Sequence, residues 1–204
     1  KANFFIKFQT MLEMYYLQPF EGAVKENLKD GFIERVTHGA LHASEATLWS
    51  LMINNLLQRV TPDYVNTSLD TISKHIGEDA EGVLLLILMT IGCHDAARKM
   101  ETQDMWEFES AIVALITLKE LGLEEKHAKL FAAAVEFKDK PEEYEKVLNK
   151  LGIDEKEYNR FDYIRKIVNL GDNLDLMRCE GIFKSEYLFD TLSSIEGFND
   201  NHHD

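Results

Sequence analysis

Residues 83–95 read Val-Leu-Leu-Leu-Ile-Leu-Met-Thr-Ile-Gly-Cys-His-Asp, and this stretch decides the fold. Residues 83–93 form the longest apolar run of the chain. The run is too short to span a bilayer, which takes about 20 residues, so we predict a helix buried in a protein core. The pair His94-Asp95 follows directly, and burying ionisable side chains is costly unless they are paired or bound to something. The segment therefore predicts a helical core with a polar site at its end.

The rest of the chain has the same helical character. Apolar residues recur at helical spacing, and no stretch alternates in the way that indicates a sheet. The chain has only 3 prolines, so long helices can run between them. We predict an all-α chain with helices over residues 4–17, 32–60, 65–76, 81–98, 105–121, 124–137, 141–151, 154–179 and 184–193.

The composition narrows the class of partner. The formal net charge is −14, and we find no cluster of Lys and Arg of the kind that binds a nucleic acid backbone. A small phosphate group can still bind an acidic protein where a few basic residues or a metal converge. The 2 cysteines form no disulfide framework, which favours a reducing, cytoplasmic setting. We expect no membrane segment, and the start at Lys1 suggests a piece of a longer chain.

The first polar motif is residues 35–42, Arg-Val-Thr-His-Gly-Ala-Leu-His. If this motif is helical, Arg35, His38 and His42 share one face. Histidines on a helix are commonly just hydrogen-bonded, partly buried side chains. Because His94-Asp95 and Asp172 follow these histidines in order along the chain, a functional site is the better hypothesis.

The second motif is His94-Asp95, followed by Arg98 and by an acidic stretch that begins at Glu101. The His-Asp pair offers an imidazole and a carboxylate side by side. The acidic stretch is also explained by a solvated helix start, where negative side chains favour the helix dipole. We keep Glu101 as a candidate catalytic residue.

The last motif is residues 172–178, Asp-Asn-Leu-Asp-Leu-Met-Arg. On a helix, Asp172 and Asp175 share a face that Arg178 continues. Imidazoles and carboxylates from several helices can hold one divalent cation, and this donor set suits manganese, iron, nickel or zinc, with magnesium as a further candidate. The predicted ligands are His38, His94, Asp95 and Asp172.

A cation held there would polarise a phosphoryl oxygen and lower the pKa of a bound water, which can then attack phosphorus. Arg35, Arg98 and Arg178 are predicted to bind phosphate oxygens, because arginine offers bidentate hydrogen bonds. The constellation therefore predicts cleavage of a phosphate ester or phosphoanhydride.

The order His38, His94-Asp95, Asp172 resembles the H…HD…D signature of HD-domain phosphohydrolases. The resemblance covers residues 30–180 and implies an HD-domain-like helical bundle, with residues 1–204 as a single domain. It implies a divalent-metal-dependent nucleotide phosphohydrolase. Two alternatives stay open: a catalytically inactive HD-like module that binds a nucleotide or a protein, and a purely structural helical domain.

A narrower resemblance lies in residues 35–44, 94–98 and 104–110, which look like the phosphodiesterase domain of SidE-type bacterial effectors. It implies that His38 attacks phosphorus, with His42 and Glu101 as further catalytic residues and no metal. It also implies an ADP-ribose-like or nucleotide-linked substrate, ubiquitin as a partner in its ADP-ribosylated or phosphoribosylated form, and delivery into a host cell.

The chain departs from the SidE pattern at one place. That chemistry needs another catalytic histidine late in the fold, and no histidine occurs between His127 and His202. Asp172 stands at the candidate position, and an aspartate is what the metal-binding HD signature requires. The sequence therefore leaves a metal-dependent route and a covalent-histidine route both open.

Overall fold

A computed structural model describes residues 2–18, 38–99 and 106–175. Within these ranges the protein has eight α-helices and no strand, which confirms the predicted all-α class. The π-helical turn Glu13–Leu17 continues the first helix, and the 3₁₀ turn Glu155–Glu157 precedes the last. The helices are α1 (Ala2–Leu12), α2 (Ala40–Val60), α3 (Pro62–Ile76), α4 (Ala80–Gly92), α5 (Glu107–Glu120), α6 (Glu125–Glu136), α7 (Pro141–Lys150) and α8 (Tyr158–Asp175).

Local sequence explains several helix ends. Pro62 and Pro141 occupy the first turns of α3 and α7, where an N–H group has no helical partner in any case. Helix α3 ends at Gly77, whose φ of 78° is a left-handed conformation that glycine adopts without strain. The Asp79 side chain caps α4 by accepting a hydrogen bond from the Gly82 N–H at 2.7 Å.

Helix α8 lies at the centre of the fold and packs against α2, α3, α4, α6 and α7. The Tyr163 hydroxyl donates to Asn54 Oδ1 at 2.6 Å, in the second half of α2. At the other end of α8, Asp175 lies beside His42 in the first turn of α2. The two helices therefore run antiparallel, and the end of α8 meets the start of α2.

Helices α2 and α8 approach each other closely at Gly171. A Cβ atom at this position would collide with Ser50 Oγ and lie 2.7 Å from the Ala46 carbonyl oxygen. Only glycine permits this approach. The contact fixes the position of the next residue, Asp172, relative to α2.

The helix that contains the apolar run ends earlier than predicted. Helix α4 ends at Gly92, and residues 93–97 form turns instead of continuing the helix to residue 98. His94 Nδ1 lies 2.6 Å from the Ile91 carbonyl oxygen, so a side chain competes with the backbone for a helical acceptor. The turns place His94 and Asp95 at the buried end of α4.

The helix predicted over residues 32–60 is described from Ala40 onward. His38 and Gly39 form a bend before it, so the predicted helical face shared with His42 does not include His38. The helix predicted over residues 184–193 lies outside the described residues. In the described part of the chain, no helix combines the length and the hydropathy needed to cross a membrane.

Candidate active site

Four of the residues predicted from the sequence converge where three elements meet: His42 in the first turn of α2, His94 and Asp95 in the turns after α4, and Asp172 near the end of α8. We call these four residues the histidine–aspartate cluster. His94 and Asp95 are fully or almost fully buried, whereas 17% of the Asp172 side chain is exposed. The cluster is therefore reached from the side of Asp172.

Three atoms of the cluster have the spacing of a metal coordination shell. His42 Nε2 lies 2.8 Å from His94 Nε2. Asp172 Oδ1 lies 3.3 Å from the first of these nitrogens and 3.1 Å from the second. Ligand atoms about 2.0–2.1 Å from a shared ion lie about 2.9–3.4 Å apart in octahedral or tetrahedral geometry. His42, His94 and Asp172 therefore fit one divalent cation.

Asp95 lies next to these three residues. Its Oδ2 is 3.4 Å from His42 Nε2 and 3.7 Å from His94 Nε2. Its Oδ1 is 3.6 Å from Arg98 NH1, and the Arg98 guanidinium lies 6.0 Å from the centre of the Trp106 ring. Asp95 therefore lies beside the three converging ligand atoms without being one of them, and Arg98 balances part of its charge.

The group of converging ligand atoms differs from the predicted ligand set: it contains His42 in place of His38, and it does not include Asp95. The nitrogen that faces His94 and Asp172 belongs to His42, whereas His38 was the predicted ligand. The centres of the His38 and His42 rings are 5.2 Å apart, in an edge-to-face arrangement. The reason is the start of α2 at Ala40: it turns His42 toward α8 and leaves His38 in the preceding bend.

In both imidazoles the Nδ1 atom, on the side of the ring away from the converging Nε2 atoms, has a hydrogen-bond partner. Asp175 Oδ2 lies 2.5 Å from His42 Nδ1, and the Ile91 carbonyl oxygen lies 2.6 Å from His94 Nδ1. When each Nδ1 carries the hydrogen and donates it, each Nε2 keeps its lone pair for a cation. The sequence had placed Asp175 on the same face as Asp172, but its contact with His42 depends on the antiparallel packing of α2 and α8.

Lys138, in the turn between α6 and α7, is a site residue that the sequence did not indicate. Its side chain is 11% exposed, and its Nζ donates to Asp172 Oδ2 at 2.5 Å. The sequence Lys138-Asp-Lys140 has the pattern of a solvated turn, and only the tertiary packing reveals that Lys138 points inward.

The charges of the cluster are strongly coupled. Burial alone would lower the pKa of His42, but hydrogen bonds with Asp172, Asp175 and Asp95 outweigh burial and raise this pKa to about 11. Burial opposes ionisation of Asp172, yet Lys138 and the two imidazoles hold its pKa well below the usual range. The pKa of Asp95 is lowered in the same way, by His94 and His42 against its burial. The cluster therefore attracts positive charge: a proton on His42, or a cation in its place.

Three predicted site residues, Arg35, Glu101 and Arg178, lie outside the described residues. Arg178 follows Asp175 by three residues, and Arg35 precedes His38 by three. Their roles remain predictions.

The chain matches the SidE phosphodiesterase (PDE) domain over residues 14–203. No curated protein and no solved structure gives a match. The matched range contains the whole histidine–aspartate cluster, together with Lys138 and Asp175. The chain therefore belongs to the SidE phosphodiesterase (PDE) domain family.

Proposed function

We propose that this chain is a phosphodiesterase that hydrolyses a phosphodiester or phosphoanhydride bond at the histidine–aspartate cluster. One observation carries the proposal: two imidazole nitrogens and a carboxylate oxygen converge within 2.8–3.3 Å in a member of this family. Few structural roles need such an arrangement, because burying carboxylates is costly without a charge between them.

The geometry favours a reaction that depends on a divalent cation. His42, His94 and Asp172 would hold the ion, with Asp95 as a fourth ligand, and manganese, iron, nickel, zinc and magnesium are the candidates. When bound, such a cation polarises a phosphoryl oxygen and lowers the pKa of water. Asp175 and the Ile91 carbonyl keep the two imidazoles in the orientation that presents Nε2 to the ion.

The phosphate of the substrate would approach from the side of Asp172, the most exposed residue of the cluster. Lys138 lies on that side, and His38 is half-buried in the bend before α2. We assign phosphate binding to Arg35, Arg98 and Arg178, as predicted from their motifs. Of the three, Arg98 lies in the described part of the chain, where its NH1 is 3.6 Å from Asp95 Oδ1.

A covalent route is the second candidate. It is favoured by the position of His38, which lies beside His42 yet outside the group of converging ligand atoms. In that route a ring nitrogen of His38 bonds to phosphorus while the bond from phosphorus to the leaving oxygen breaks, and Glu101 assists the transfer of a proton to that oxygen. Water then cleaves the phosphorus–nitrogen bond and frees His38, and no metal takes part. Asp172 in place of a late histidine weighs against this route.

For the substrate, we propose an ADP-ribose-like or nucleotide-linked compound, with ADP-ribosylated or phosphoribosyl ubiquitin as the protein-linked form. This proposal follows from membership of the SidE phosphodiesterase family. Delivery of the protein into a host cell as a bacterial effector belongs to the same proposal.

The test is a substrate panel with and without a chelator. Purified protein would be incubated with ADP-ribose, ADP-ribosylated ubiquitin and a set of nucleotides, and the products identified by mass spectrometry. The cation-dependent route predicts release of a nucleoside monophosphate that the chelator stops. The covalent route predicts chelator-resistant turnover and a phosphoribosyl adduct on His38. If a folded protein binds nucleotide but cleaves none of these compounds, it is a binding module and the proposal fails.

A further inference from the structure

Lys138 is a buried cation in a turn, which is an unusual place for a lysine. Residues 137–139 form the turn between α6 and α7, and the relative exposure of Lys138 is 9%. Burying an ammonium group is costly unless a partner compensates it. Asp172 is such a partner, at 2.5 Å from Nζ.

A residue of α8 holds the backbone of this turn in place. Arg165 NH1 donates to the Lys138 carbonyl oxygen at 2.5 Å. The same guanidinium is held by Asp162, through Nε at 2.6 Å and NH2 at 3.1 Å. Arg165 is buried, so this chain of contacts fixes the backbone from which the Lys138 side chain starts. The position of the ammonium group is therefore set by the fold.

The two oxygens of Asp172 have different surroundings. Oδ1 faces the nitrogens of His42 and His94, whereas Oδ2 receives the Lys138 ammonium. An oxygen already bonded to an ammonium group is a poor metal ligand. Lys138 therefore leaves Asp172 one oxygen with which to bind a cation.

Lys138 also changes the charge of the site. Among the residues that the structure describes, three carboxylates (Asp95, Asp172 and Asp175) face two cations (Arg98 and Lys138), so with neutral imidazoles these five side chains carry one net negative charge. A divalent ion makes the total one positive charge, which attracts a phosphate group. Without Lys138 the remaining four of these side chains and the ion would carry no net charge.

We propose that Lys138 is a positioning residue that restricts Asp172 to binding a cation through Oδ1 and keeps the loaded site positively charged toward phosphate. The inference rests on the cation site of the proposed function. Lys138 therefore has two effects: it determines how Asp172 binds the cation, and it strengthens the binding of the phosphate anion.

The experiment is calorimetric titration of wild type, Lys138→Met and Lys138→Arg, first with Mn²⁺ and then, at saturating Mn²⁺, with inorganic phosphate. Lys138→Met should bind Mn²⁺ at least as tightly as wild type, because a competing positive charge is gone. Its phosphate affinity should fall about tenfold, the order of magnitude of the attraction of one unit charge about 10 Å away at an effective dielectric constant of about 20. Lys138→Arg keeps the charge and should keep most of the phosphate affinity. Lys140→Met, an exposed lysine at the end of the same turn, is the matched control and should behave as wild type.

Crystals of the Mn²⁺-loaded proteins test the positioning effect directly. Asp172 should bind the ion through one oxygen in wild type and through both in Lys138→Met.

Three results would overturn the inference: no Mn²⁺ binding by wild type, unchanged phosphate affinity in Lys138→Met, or loss of both affinities in a folded Lys138→Met. If Lys138→Met does not fold, Lys138→Gln takes its place in the same comparison with Lys138→Arg. None of these titrations requires turnover. A protein that binds both ions as stated but hydrolyses nothing would contradict the proposed function and leave the role of Lys138 standing.

Discussion

Asp175 Oδ2 lies 2.5 Å from His42 Nδ1, on the side of the imidazole ring opposite to His94. Asp175 is 1% exposed, so the contact is shielded from water. A carboxylate in this position fixes the ring orientation and the tautomer of a metal-binding histidine and raises its basicity. The finding extends the candidate site beyond the cluster to the last residue of α8.

Replacing Asp175 tests that contact. We expect Asp175→Asn to weaken Mn²⁺ binding and hydrolysis by about 10–100-fold, the usual cost of losing such a partner. The measurements are calorimetry and steady-state kinetics at equal folded fraction. Asp70→Asn, the same change on the exposed face of α3, is the control and should leave both values unchanged. Equal effects of the two substitutions would remove Asp175 from the site.

The two neighbouring histidines separate the cation route from the covalent route. His42→Gln should abolish metal binding, whereas His38→Ala should keep it, because only His42 lies in the converging group. Metal content after dialysis against Mn²⁺ measures this difference. If His38→Ala keeps its metal but loses all turnover, and wild type still hydrolyses substrate in the presence of a chelator, the covalent route is correct and the cation-dependent route is wrong.

The close packing at Gly171 predicts a coupling between stability and activity. Gly171→Ala places a methyl group against Ser50 and the Ala46 carbonyl, so α8 must move away from α2. We expect a loss of about 1–3 kcal/mol in the free energy of unfolding, the usual cost of overpacking. Hydrolysis should also fall in the protein that remains folded, because Asp172 moves with α8.

Gly82→Ala is the control for that change. An added Cβ there meets only the exposed side chains of Glu78 and Asp79, at 3.1–3.4 Å. Even complete loss of the Asp79 capping hydrogen bond would cost only about 1 kcal/mol. Urea unfolding compares the two variants. Equal stability of Gly171→Ala and wild type would show that the two helices tolerate a larger separation.

A second histidine pair, away from the candidate site, predicts sensitivity to acid. The rings of His75 and His127 lie 5.3 Å apart, and burial, followed by Lys126, lowers the pKa of both. Because the folded pKa values lie below the unfolded value, the unfolded chain takes up protons first. The contribution of this pair to stability should therefore be constant above about pH 6.5 and fall as the pH drops through this value.

His127 is the more buried of the two, so it should dominate the effect. Melting temperatures measured between about pH 7.5 and 5.5 should decline less for His127→Phe, which cannot titrate, than for wild type. Parallel declines in the two proteins would assign the acid sensitivity to other groups.

The sequence predicts the helical class and most of the cluster because both depend on local information. Apolar spacing indicates the helices, and the order of His94-Asp95 and Asp172 indicates a shared site. The sequence did not indicate that His42, rather than His38, would face His94 and Asp172. This depends on where α2 begins, and the residue before α2 is Gly39, which has no side chain to form the capping hydrogen bond that marks a helix start. Lys138 was missed for a different reason: its burial depends on Arg165, 27 residues away in the sequence.

Hydrolysis of ADP-ribose by wild type and by His94→Gln, each with Mn²⁺ and at equal folded fraction, tests the central claim most directly. His94 is fully buried within the cluster and has no role on the surface. We expect wild type to release a nucleoside monophosphate and His94→Gln to be slower by at least about 100-fold, since loss of a ligand should exceed loss of its supporting partner. Equal rates in the two proteins, or no release by wild type from this or any other phosphodiester or phosphoanhydride, would contradict the assignment of phosphodiesterase activity to the histidine–aspartate cluster.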